Sequence, residues 1–151
     1  MSTPEGRVKT KVSKWLKELR RCWPFMPVQS GYGAVALDYI VCIRGAFVSI
    51  ETKAPGGELT PTQQATKAAI IAAGGVVLVI WDDDSLSNAR EIINGLRGSI
   101  FGHAAFYPEA RRLYDQHLRA VEQGKTPAAP ARRDHGASGA QSQRHAVSRS
   151  R

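Results

Sequence analysis

Six consecutive apolar residues, Val76-Val-Leu-Val-Ile-Trp81, stand between Gly74-Gly75 and Asp82-Asp83-Asp84. An unbroken apolar run of this length fits a strand covered on both faces, so structure must pack above and below it. The run cannot cross a bilayer. Even extended back to Ala68 it is short and interrupted by two glycines.

The flanking segments supply the covering layers. Over Glu5–Arg21, Val8, Val12, Trp15, Leu16 and Leu19 fall on one helical stripe, and Thr3-Pro4 gives an N-cap hydroxyl followed by proline at the first helical position. Pro24 and Pro27 end that helix. Leu37–Ile43 and Ala46–Lys53 have strand character, and Arg44-Gly45 between them predicts a β-hairpin. Thr60-Pro61 opens a second helix that runs to about Ala73 and stops at Gly74-Gly75. Helices are also expected over Leu86–Leu96 and Pro108–Gln123. The order α–β–β–α–β–α–α makes an α/β domain, a small mixed β-sheet flanked by helices. We place this domain at residues 1–124 and a disordered basic tail at 125–151, where Ala, Pro, Gly, Ser, Gln and Arg leave little to bury.

Charge is unevenly spread. The 151-residue chain carries net +8, of which residues 1–21 and the tail hold +5 each, leaving the middle at −2. A polyanionic partner is favoured over a neutral one. The lysines of the first helix suit either phosphate tracking or a plain solvated face, and the Arg-rich tail suits non-specific nucleic-acid attraction. Cys22 and Cys42 form no disulfide framework, and Cys42, in an apolar run, is expected as a buried thiol. Met1–Arg7 lacks the pattern of a secretory signal. A reduced, cytoplasmic setting is expected.

Chemistry concentrates between Gly33 and Lys53. With Arg44-Gly45 as a two-residue loop, Asp38 falls opposite Glu51, and Lys53 lies two residues beyond on the same face. Two carboxylates at a strand end can hold Mg²⁺ or Mn²⁺, with the Thr52 carbonyl as a further ligand. Such a metal activates water and neutralises charge on a scissile phosphate, and Lys53 can position the water or stabilise the transition state. Phosphodiester hydrolysis is the matching reaction. A salt-bridged strand end accounts for the same three residues without chemistry.

The strings Gly33-Ala-Val-Ala-Leu-Asp38, Phe47-Val-Ser-Ile-Glu51-Thr-Lys53, Leu59-Thr-Pro-Thr-Gln63 and Gly74-Gly-Val-Val77 together resemble the PD-(D/E)xK nuclease superfamily. The likeness is closest to its VRR-NUC and phage Holliday-junction-resolvase-like branch and covers about residues 5–81. It implies a restriction-endonuclease-like core and Mg²⁺-dependent cutting of DNA, possible on branched or structured substrates. It further implies a homodimer or higher oligomer, and the host cytoplasm if the chain is phage-encoded. Asp38, Glu51 and Lys53 match the metal-binding carboxylates and the catalytic lysine, Gln63 the glutamine on the following helix, and Glu5 the acidic residue on the first. Leu37 departs from the proline that the family often carries before its first aspartate.

Simpler roles stand beside these. Thr60-x-x-Gln63 is also a capping box, and Glu5 also suits the positive end of a helix dipole. Asp82-Asp83-Asp84 reads as a solvated turn with one N-cap rather than a second metal site. Trp15 and Trp23 are expected in the core, and Tyr32 as a loop-packing aromatic. A non-catalytic nucleic-acid-binding protein and an RNA-directed nuclease are the alternatives to a DNA endonuclease.

Overall fold

The structure, a computed structural model, describes residues 2–28, 35–100 and 103–126. Ten elements follow in order: α1 (Pro4–Glu18), β1 (Cys22–Phe25), β2 (Tyr39–Ile43), β3 (Ala46–Thr52), α2 (Pro61–Ala72), β4 (Val76–Ile80), α3 (Asp83–Asn94), β5 (Leu96–Ile100), β6 (His103–Phe106) and α4 (Pro108–Glu122). The main sheet has the order β1-β2-β3-β4. Its first three strands are antiparallel and β4 runs parallel to β3, while β5 and β6 form a separate antiparallel pair. The molecule is therefore mixed α/β, with a small mixed sheet and four helices among the described residues.

The hairpin forms where its residues require it. Ile43 pairs with Ala46 and Tyr39 with Ile50, leaving Arg44 and Gly45 as the loop, both at positive φ (52° and 83°). Two positive φ values match the right-handed twist of the strands, and glycine accepts the second at little cost. The Arg44 guanidinium donates to the carbonyls of Ile93 and Leu96, tying the turn to the end of α3.

One sheet face carries the main core. Tyr39, Val41, Ile43, Val48, Ile50, Leu78 and Ile80 pack with Val12, Trp15 and Leu16 of α1 and with Leu86, Ala89, Ile92 and Ile93 of α3. Each such Val, Leu or Ile side chain contributes about 1.5–3 kcal/mol by leaving water. On the other face, Val79 and Trp81 form a smaller cluster with Leu59 and Val121. Gly95, after α3, permits the approach of α4: a Cβ there would lie 2.1 Å from the Ala110 Cβ.

As expected from its composition, β4 is buried throughout, yet it lies at a sheet edge. Side chains complete that edge. The amides of Val77, Val79 and Trp81 donate to Tyr114 Oη (2.9 Å), His117 Nε2 (3.0 Å) and Ser85 Oγ (2.9 Å). Helical side chains thus take the amide donors that a fifth strand would use.

Three further strands, β1, β5 and β6, carry no clear strand signal in the sequence. Cys22–Phe25 contains Pro24, which reads as a breaker, but β1 is an edge strand where a missing N–H is tolerated. Leu96–Ile100 and His103–Phe106 are short, Gly- and Ala-containing, and bulged between Leu96 and Gly98, so they lack a period-two signal. Leu96 accordingly belongs to β5 and not to the preceding helix. Cys42 is exposed rather than buried, and Trp23 is 62% exposed while Trp15 is core. Both Cys42 and Trp23 lie on the sheet face away from α1. Asp82 caps α3 through Ser85, and Asp83 pairs with Lys11 at 2.7 Å, so the triple-aspartate run is a helix start. Gly33, Tyr32 and tail residues 127–151 lie outside the described residues.

Candidate active site

Asp38 immediately precedes β2, and Glu51 and Thr52 end β3. The Asp38 amide donates to Glu51 Oε2 at 3.2 Å, which fixes the two carboxylates beside each other. Asp38 Oδ2 accepts the Thr52 amide (3.0 Å) and the Thr52 hydroxyl. Lys53 follows the strand and is held in line by its own amide, which donates to the Ile80 carbonyl at 2.9 Å. Its Nζ lies 3.0 Å from Glu51 Oε1.

Gln63 joins the same cluster from the first turn of α2. Its Nε2 donates to Glu51 Oε1 at 2.6 Å while its Oε1 accepts the Thr60 amide at 2.9 Å. The capping box and the site contact are two ends of one amide. The helix cap therefore aims Gln63 at Glu51.

A residue absent from the sequence-based set completes the cluster. Lys9 Nζ reaches Asp38 Oδ1 at 2.8 Å from α1. The Lys9 turn is docked by Tyr39, whose hydroxyl donates to the Lys9 carbonyl (3.0 Å) and meets Ser13 Oγ (2.7 Å). Nothing in the pattern Lys9, Lys11, Lys14, Lys17 marks the first as different. Only the helix-to-sheet docking separates it. Glu5 lies one turn earlier and makes no hydrogen bond to the cluster; its charge acts on Lys9, and its place in the first turn suits the dipole.

The two carboxylates differ electrostatically. Glu51 is 3% exposed. Burial raises its pKa above the usual carboxylate value and the Asp38 charge adds to that, against the opposing Lys53 contact. Burial also pushes Asp38 upward, but the bonds from Lys9 and Thr52 outweigh it and hold Asp38 below the usual value. Lys9 loses hydration, yet Asp38 keeps its pKa raised. Two acids and two ammonium groups thus share one sheet end, each acid with its own cation.

Comparison with protein-family models, with curated proteins and with solved structures finds no match for this chain.

Hard oxygen donors in this pattern fit a divalent cation. Among the described residues no group of three or more His, Cys, Asp or Glu side chains converges anywhere. Two carboxylates suffice for Mg²⁺, which ordinarily takes one or two and completes its shell with water and substrate phosphate. An all-oxygen donor set suits Mg²⁺ or Mn²⁺ better than zinc, which takes mostly His and Cys ligands.

Proposed function

We propose that the chain is a metal-dependent endonuclease that hydrolyses DNA phosphodiester bonds, on a restriction-endonuclease-like core. One observation carries this: Asp38, Glu51 and Lys53, separated in sequence, meet at one end of the sheet with Glu51 buried and bonded to both others. Lys9 and Lys53 offset the cost of placing two acids together, and clustered titratable groups whose pKa values are driven apart are typical of sites built for chemistry.

Asp38 and Glu51 would hold Mg²⁺ or Mn²⁺, with the Thr52 carbonyl as a further donor. The bound ion would supply Lewis acidity, neutralising phosphate charge and acidifying water. The chain's own groups do the positioning. Thr52 fixes Asp38 Oδ2, and Gln63 fixes Glu51 Oε1, so neither carboxylate must reorganise when substrate arrives. The Lys53 ammonium sits where it can orient the attacking water and stabilise charge on the phosphoryl oxygens. Lys9 neutralises Asp38 in the free protein and is available to a substrate phosphate when a stronger cation takes that oxygen.

The Lys9–Asp38 pair also favours a second reading, a non-catalytic nucleic-acid-binding protein whose strand end is closed by ion pairs. One experiment separates them. Lys53→Ala should lose cutting of plasmid or branched DNA by roughly a hundredfold or more while keeping DNA affinity. Equal loss of binding would recast Lys53 as a phosphate contact. Cutting of RNA in preference to every DNA substrate would move the activity to an RNA-directed nuclease.

A further inference from the structure

The sheet face that carries Asp38 and Glu51 is only half covered. Residues on that face are Trp23 and Phe25 of β1, Ile40 and Cys42 of β2, and Phe47, Ser49 and Glu51 of β3. Toward β4 it is buried under α2 and its flanking loop, where Gln63 and Leu59 contact it. Toward β1 it is open: Trp23 is 62% exposed, Phe25 47% and Phe47 46%. Trp23 and Phe25 lie parallel, interplanar angle 0°, with centroids 5.8 Å apart. Trp23 is registered beside Cys42, and Cys42 beside Phe47, so the rings form a band across the sheet.

Three features say what covers the band. First, it leads to the candidate site. Phe25 is registered beside Ile40, two residues along β2 from Asp38, or about 7 Å. Second, cations stand at both ends: the exposed Arg20 and Arg21 precede β1, and Lys9 lies at the carboxylate end. Aromatic faces between cations complement a strand of bases joined by phosphates. Third, the band is small for a protein partner. Its three rings expose about 350 Å², and even with the exposed Cys42, Met26 and Val28 beside them the surface falls short of the roughly 800 Å² per partner of a standard interface. Pro24 also removes an amide from the β1 edge, which disfavours strand addition.

We infer that Trp23 and Phe25 form a stacking platform for unpaired DNA bases, next to the carboxylate cluster. This rests on the nuclease assignment for its substrate class and narrows that class to DNA with an unpaired segment, such as a flap, branch or single strand. A duplex keeps its bases stacked on each other and offers the rings no face.

Binding of the full chain in EDTA tests the platform without requiring cleavage. A fluorescein-labelled dT20 strand should bind with quenching of tryptophan fluorescence. Trp23→Ala should weaken dT20 about tenfold and leave affinity for a 20-base-pair duplex unchanged, with Trp23→Phe restoring most of the loss. Phe25→Ala should act in the same direction. Equal loss for dT20 and duplex, or no loss for either, would overturn the platform. So would tighter binding of U20 than dT20, which would assign it to RNA. Sedimentation of wild type as a dimer that Trp23→Ala dissociates would give the face to a second copy instead. Failure of the nuclease assignment would look different: dT20 binding would still depend on Trp23, while no DNA would be cut with Mg²⁺.

Discussion

Lys9 and Lys53 neutralise the two carboxylates from opposite sides, and they differ in what their removal should do. Lys9 Nζ contacts Asp38 Oδ1 directly, competing for an oxygen that a divalent cation would use. Replacing it by Met removes a partly exposed ion pair of modest worth. We expect Mn²⁺ affinity, read by calorimetry, to rise about threefold to tenfold. Unchanged affinity would show that Asp38 takes no part in cation binding. Gln63 gives a second residue-scale outcome. Gln63→Ala removes both the bond to the Thr60 amide and the bond to Glu51, so it should lower stability by about 1 kcal/mol and also slow cutting. Thr60→Ala should lower stability alike while Gln63 can still reach Glu51, and its effect on cutting should be smaller. Chemical denaturation and a cleavage time course separate the two. The alternatives left open for Gln63 by the sequence are thus one arrangement, because the amide has two ends. The sequence exposes Asp38, Glu51 and Lys53 through alternation and a two-residue loop. It hides Lys9, since a cation on an amphipathic helix becomes distinctive only when the helix is docked.

At the scale of elements, the edge of β4 depends on α4. His117 is fully buried, its Nε2 accepts the Val79 amide, and its Nδ1 has no hydrogen-bond partner among the described residues. Only the neutral imidazole can accept that bond. Burial lowers its pKa to about 4, and the nearby Lys67 charge acts in the same direction. The unfolded chain takes up this proton near pH 6.5, the folded chain only near 4. Stability from His117 is therefore complete above about pH 6.5 and is lost as pH falls toward 4, by on the order of 3 kcal/mol. Urea unfolding at pH 7.5 and 4.5 should show a steeper acid loss for wild type than for His117→Gln. Parallel losses would mean that His117 titrates normally. The same strand shows why legibility is uneven. β4 is readable because six apolar residues in a row admit few other fates. Its edge position is not, because acceptors from Ser85, Tyr114 and His117 replace a strand pattern. β1 was hidden by Pro24 for a related reason: at an edge, the missing amide faces no partner.

At the scale of the whole molecule, charge and shape divide the work. The excess of positive charge lies in residues 1–21 and in the tail, while the stretch between them is net −2 and holds both carboxylates. No described helix is long and apolar enough to cross a membrane. Phosphate attraction supplied by exposed cations is sequence-independent and salt-sensitive. Deleting residues 125–151 should weaken DNA binding and flatten its dependence on salt, with cutting retained at low salt. An unchanged slope in a salt titration would show that the tail does not meet DNA.

If Asp38 and Glu51 serve chemistry rather than only stability, a divalent cation must drive cutting that depends on them. Incubating supercoiled plasmid and a branched duplex with the purified full chain, in Mg²⁺ and in EDTA, tests it most directly when Glu51→Gln is run beside wild type. Gln preserves the shape and removes the charge. Cutting by wild type that requires Mg²⁺ and is abolished in Glu51→Gln, with the variant folded by circular dichroism, is the predicted result. No cutting by wild type with metal, or equal cutting by the folded variant, would contradict it.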